Sequence, residues 1–147
     1  MTIDDRSFRT SRILPFPPDA VYGAFAAPEQ LAEWWGPEGF SNRFEHFDFK
    51  VGGRWVFVMV GPDGKEYANQ NVFLELQPHR RVVLRHDCAP WFTLTITLDE
   101  AESGATRVSW EQVLDDVKTA RAVAHVVIPA NEQNLDRLHR VLAKGQA

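Results

Sequence analysis

Alternation along strands picks out the side chains in this sequence that could do chemistry. In a strand, successive side chains point to opposite faces. Phe92, Leu94, Ile96 and Leu98 are apolar while Thr93, Thr95, Thr97 and Asp99 are polar, so the even set faces inward. In the run from Arg81 to Asp87, Val82 and Leu84 share a face with His86. From Thr106 to Val113, Val108 and Trp110 share one with Gln112. His86 and Gln112 are thus polar groups aimed at an apolar interior. An unpaired group there costs about 1–3 kcal/mol. Each is therefore paired internally, near a strand end with water, or placed for a ligand. His86 also changes charge near neutral pH, which suits a general acid or base.

Tyr67, Asn69 and Asn71 alternate along another strand and share one face. Facing inward, they form a polar ladder able to orient a carbonyl or hydroxyl; facing outward, an ordinary solvated stripe. Val72, Leu74 and Leu76 favour the outward reading over the second half, and a bulge between Asn69 and Val72 would swap the faces. Both readings stay open. Trp34 and Trp35 fall on a short helical turn where an indole can line an entrance, and Phe57 and Met59 read as wall residues.

Other chemistries fit less well. Cys88 lies two residues from His86 on the same side, but no third group is identifiable to orient the imidazole. The five histidines show no close metal-type spacing. No phosphate-cradling glycine loop or dinucleotide fingerprint occurs, so no cofactor is implied. With a net charge of −4 and mixed charges, the chain lacks the basic cluster that nucleic-acid binding requires.

The elements that must position these residues are marked by turns. Phe8 to Leu14 reads as a first strand, stopped by Pro15, Pro17 and Pro18. Pro18 opens a short helix through Phe25, and Pro28 opens another with Leu31, Trp34 and Trp35 at helical spacing, ended by Gly36-Pro37. Six strands follow: Arg43 to Phe49, Arg54 to Val60, Glu66 to Leu76, Arg81 to Asp87, Phe92 to Glu100 and Thr106 to Val113. Gly52-Gly53 supplies the positive φ angles of a tight hairpin, with Asp48 and Arg54 across it as a salt bridge. Near the C-terminus Leu135, Leu138, Val141 and Leu142 recur at helical spacing, with Arg137, Arg140 and Lys144 on the other face. Ala120 to Val127 is also helix-compatible, and Pro129 predicts a kinked helix or two consecutive ones.

A long antiparallel sheet must cover its apolar face, and the terminal helix is the only element long enough. The expected fold is α+β: a curved sheet of about seven strands around that helix, with two short helices capping one end, in one domain over 1–147. Ten Phe and five Trp are enough both to fill a core and to wall a pocket. Met1 to Arg12 carries no apolar run of signal-peptide type, and no stretch is long enough to span a membrane. A cytoplasmic protein without membrane partners is expected. A homodimer through open sheet edges is the further option.

Trp34-Trp35-Gly36-Pro37, Gly39-Phe40, Phe47-Asp48-Phe49, Val51-Gly52-Gly53 and Trp55 resemble the START-like helix-grip (SRPBCC) superfamily. The pattern is most similar to proteins like the C-terminal domain of the Hsp90 ATPase activator. The resemblance runs from about Arg9 to Ala143 and rests on turn glycines and core aromatics, which identify a fold better than an activity. The resemblance agrees with the space between sheet and helix expected from element order, where a small hydrophobic or aromatic ligand would sit; the candidate ligand-binding residues, taken from strand alternation and helix position, are Trp34, Tyr67, Asn69, His86, Trp110 and Gln112. A cyclase- or aromatase-like enzyme in the same cavity, and a stress- or chaperone-linked interaction protein, are the alternatives. Chaperone activation is not carried over on fold alone.

Overall fold

The computed structural model describes residues 3–145. Prolines divide its first third. Strand β1 (Ser7–Leu14) ends where Pro15, Pro17 and Pro18 withhold the amides a ladder needs. Pro18 and Pro28 then start helices α1 (Pro18–Ala26) and α2 (Pro28–Trp34), at the position where a missing N–H is harmless. Both helices bury an apolar stripe: Val21, Tyr22, Ala24 and Phe25 from α1, Leu31 and Trp34 from α2.

Six strands follow: β2 (Ser41–Phe47), β3 (Arg54–Val60), β4 (Glu66–Gln77), β5 (Arg81–His86), β6 (Phe92–Glu100) and β7 (Thr106–Leu114). They form one antiparallel sheet in the order β1-β7-β6-β5-β4-β3-β2. The six strands from β2 to β7 are therefore sequential neighbours, whereas β1 crosses to the far side and pairs with β7 from Ser7↔Val113 to Leu14↔Thr106. Helices α1 and α2 carry the chain from one sheet edge to the other. The long helix α3 (Val117–Gly145) then lies in the concave face, burying Leu135, Leu138 and Leu142. Fully burying such side chains stabilises the fold by roughly 1.5–3 kcal/mol each. This is an α+β helix-grip architecture. No helix among the described residues is long and apolar enough to cross a membrane.

The structure departs from the sequence expectations in several places. Helix α3 continues past Pro129 as one element and is not two consecutive helices. The Gly52-Gly53 turn has a positive φ only at Gly52. Gly53 is required for a different reason: a Cβ there would overlap the Asp48 carbonyl oxygen. Asp48 and Arg54 do not pair through their side chains. Asp48 meets Lys50, and Arg54 donates to Gln70 Oε1 at 2.8 Å. Finally, Arg137 is not on the solvated face of α3 but is buried beneath the loop that follows α2.

Strand β4 shows where faces change. Its register against β5 shifts between Phe73 and Glu75. Before the shift the odd positions, with Asn71 and Phe73 buried, face the helix; after it Leu76 packs toward the core and Leu74 is exposed. The face swap lies further along the strand than the Asn69–Val72 position, so Tyr67 and Asn69 stand on the inward face.

Aromatic side chains fill the closed end of the grip. Trp55 stacks on Phe57 at 4.5 Å and meets Trp35 at 5.0 Å, while Trp34 lies against Phe25 at 4.9 Å. Phe44, Phe47, Phe49 and Phe73 extend the cluster under β2 and β3. The aromatics thus serve two purposes. Most are core, and a few form a wall.

Candidate functional site

Beyond that cluster the space between sheet and α3 is not filled by side chains. It forms a pocket of about 610 Å³. Strands β3 and β6 supply Phe57, Met59, Phe92 and Leu94 as an apolar floor. Strands β4, β5 and β7 add the inward polar groups Asn69, Asn71, His86 and Gln112, beside Trp110. Helix α3 covers the space with Val126, Val127, Ala130, Asn131 and Asn134. The inner wall is buried, whereas Tyr67, 47% exposed, and Val126 stand at the rim.

Of the residues singled out from sequence, Tyr67, Asn69, His86, Trp110 and Gln112 line this pocket, and Trp34 does not. Trp34 is the last residue of α2, fully buried, with its indole N–H donating to the Ala24 carbonyl at 2.9 Å. The next residue, Trp35, has left helical geometry (φ −68°, ψ 133°), which turns its side chain into the pocket instead. Helical spacing treats the two indoles as neighbours on a helix, but the helix ends between them.

A buried cation fixes that turn. The Arg137 guanidinium donates to five carbonyls, those of Glu33, Trp35, Gly36, Pro37 and Phe40, at 2.7–3.0 Å. Asn42 Nδ2 donates to Ala32 and Trp35. Together they satisfy carbonyls that the C-terminus of α2 leaves without intrahelical partners. Burial pushes the Arg137 pKa down from its usual value, with nearby Glu38 opposing.

His86 is held on both sides. Nδ1 lies 2.6 Å from the Pro90 carbonyl, which only accepts, so Nδ1 carries a proton. Nε2 lies 2.8 Å from Asn69 Oδ1 and 3.4 Å from Cys88 Sγ. The ring also stacks on Phe92 at 4.4 Å. Burial pushes the His86 pKa below 6.5, and the hydrogen bonds to Pro90 and Cys88 oppose it only in part. In the neutral ring Nε2 accepts from the Cys88 thiol, while the Asn69 amide is held with Nδ2 donating to the Tyr67 carbonyl at 3.0 Å and its oxygen toward the ring. The Pro90 carbonyl is an orienting group that strand spacing could not reveal, because it depends on how the chain bends after β5.

Several polar atoms at the inner end have no partner. Asn71 Oδ1 and Trp110 Nε1 are buried and unbonded, as is Trp55 Nε1 close by. Gln112 Oε1 accepts from Asn131 Nδ2 at 3.1 Å. Asn134 Oδ1 accepts from the Gly36 amide at 3.1 Å. Asn131 and Asn134 escaped the sequence reading because the first half of α3 lacks the apolar periodicity that orients a helix. Among the described residues no group of three or more His, Cys, Asp or Glu side chains comes together as a metal site.

Comparison with known proteins places this geometry. The family model for activator of Hsp90 ATPase homolog 1-like proteins matches residues 15–143. No curated protein matches the chain. Among solved structures, protein NE0264 from Nitrosomonas europaea is similar with a TM-score of 0.87 at 20% identity, covering 97% of each chain. Protein CV1439 from Chromobacterium violaceum is 29% identical with a TM-score of 0.80, covering 92% of this chain and 96% of its own. A protein from Silicibacter pomeroyi, titled as a member of the same family, has a TM-score of 0.75 at 21% identity over 95% of this chain and 99% of its own. With its family model matched over most of its length and its helix-grip fold shared with these structures, the chain belongs to the activator of Hsp90 ATPase homolog 1-like family, within the START-like superfamily.

Proposed function

We propose that this protein binds a small apolar or aromatic molecule in the pocket between the sheet and α3. The observation that carries the reading is a buried, largely apolar wall around about 610 Å³ that the protein's own side chains leave open. Burying ~200 Å² of ligand surface at ~25 cal/mol per Å² contributes roughly 5 kcal/mol before association costs. The inward residues Tyr67, Asn69, His86, Trp110 and Gln112 would set the orientation of the guest.

A cyclase-like reaction in the same pocket is the weaker reading. It draws support from a buried titratable ring, but both nitrogens of His86 are already engaged within the protein. A chaperone-linked role has less: the large exposed apolar side chains, such as Val51, Leu74, Trp91 and Ile128, lie on separate elements. The test of the leading reading is a thermal-shift panel of neutral apolar and aromatic compounds, backed by Nile red fluorescence. Several compounds should raise Tm, and Ala130→Trp, which places an indole in the pocket, should abolish both signals. No response across a broad panel, or equal responses in the variant, would defeat the reading.

A further inference from the structure

The pocket's polar groups narrow the chemistry of the guest. Among the described residues no Asp, Glu, Lys or Arg lines the pocket. The Arg137 guanidinium donates through Nη1 and Nη2 to backbone carbonyls. His86 is kept neutral by burial. An ion entering such a space would lose its hydration without gaining a counter-charge.

Among the described residues, two buried side-chain atoms of the wall lack a partner, one donor and one acceptor. Trp110 Nε1 is a donor and nothing else, 2% exposed as a residue and without a partner. Asn71, 1% exposed, offers one donor and one acceptor whichever way its amide is turned. Buried polar groups are normally satisfied, so the unbonded Trp110 Nε1 and Asn71 Oδ1, both from residues lining the pocket, point to a partner that comes from outside the chain.

Building on the pocket reading above, we infer that the ligand is an uncharged molecule with an apolar body and a carbonyl-type oxygen. That oxygen accepts from Trp110 Nε1. Asn71 is left to recognise a hydroxyl or a second oxygen beside it. Ketones, quinones, lactones and esters fit this description; fatty acids and amines do not.

Four compounds on one scaffold test it: 2-ethylnaphthalene, 2-acetylnaphthalene, 2-naphthoate and 2-naphthylmethylammonium, titrated calorimetrically at pH 7.5 into the full chain. The ketone should bind about tenfold tighter than the hydrocarbon, as expected when a buried donor gains its missing partner. Both ions should bind more weakly than the hydrocarbon. Trp110→Phe, which keeps an aromatic plane and deletes the N–H, should collapse the ratio of ketone to hydrocarbon affinity toward one. The series on the unaltered protein stands even if that variant does not fold. Hydrocarbon binding equal to the ketone, or tighter binding of either ion, overturns the inference while leaving the pocket reading intact. Silence from all four overturns both.

Discussion

Replacing Arg137 by alanine removes the buried cation that ties the backbone of the turn between α2 and β2. Five hydrogen bonds from its guanidinium are lost. Bonds from a charged donor contribute about 1.5–3 kcal/mol each, but a straight sum would overshoot. The Glu33, Pro37 and Phe40 carbonyls are only part-buried and can be hydrated once the side chain is gone. The Trp35 carbonyl keeps the Asn42 amide. Gly36 is left as the buried carbonyl with no replacement partner. One orphaned acceptor together with lost bonding and packing comes to about 3 kcal/mol. For a domain near 150 residues that lowers Tm by roughly 6–12 °C. Differential scanning calorimetry measures the shift, and tryptophan emission should move to longer wavelength as Trp35 gains water. Arg140→Ala is the control: this neighbour pairs with Glu38 at the surface, and its loss should change Tm by under about 2 °C. Arg137→Lys should fall between the two, since an ammonium has three donors for five acceptors. If Arg137→Ala is no worse than Arg140→Ala, the guanidinium does not organise the turn, and the account of how Trp35 reaches the pocket is wrong.

Other outcomes follow from the same structure. Because the His86 pKa is depressed in the folded state, the unfolded chain binds more protons below about pH 6.5, so stability should fall as pH drops from there and level off once the folded ring also protonates; urea midpoints for the native protein and His86→Gln should diverge most at neutral pH and converge on acidification. Gly53→Ala should abolish or cripple folding, since its Cβ would meet backbone that cannot give way, whereas Gly64→Ala, with open space around it, should cost only about 1 kcal/mol for its positive φ; expression and calorimetry of the two variants decide. Trp34→Phe should lower Tm through the lost bond to Ala24 without altering the ligand series, while Trp35→Ala should weaken every compound that binds the pocket.

Strand periodicity carried the architecture and much of the pocket wall. Val82, Leu84 and His86 share a face because β5 is regular, and the same holds for Val108, Trp110 and Gln112 on β7. Period fails where regularity fails. The shift at Phe73/Glu75 is a one-residue event that leaves no mark in composition, so the face of Tyr67 and Asn69 stayed open until the pairing was seen. Trp34 and Trp35 illustrate the same point at a helix end. Arg137 shows a different limit. It sits at the border of α3's apolar stripe, and only the spatial arrival of α2's carbonyls, about a hundred residues earlier in the chain, makes burial of its head favourable.

The pairing of β1 with β7 has a consequence for how the chain is made. Ser7 meets Val113 across more than a hundred residues of intervening chain, so this contact closes the largest loop in the sheet. A nascent chain can zip β2 through β6 as consecutive hairpins while β1 dangles without a mate until the seventh strand leaves the ribosome. The grip therefore completes late, and a ribosome stalled before Thr106 would display a half-built, greasy trough for chaperones to find.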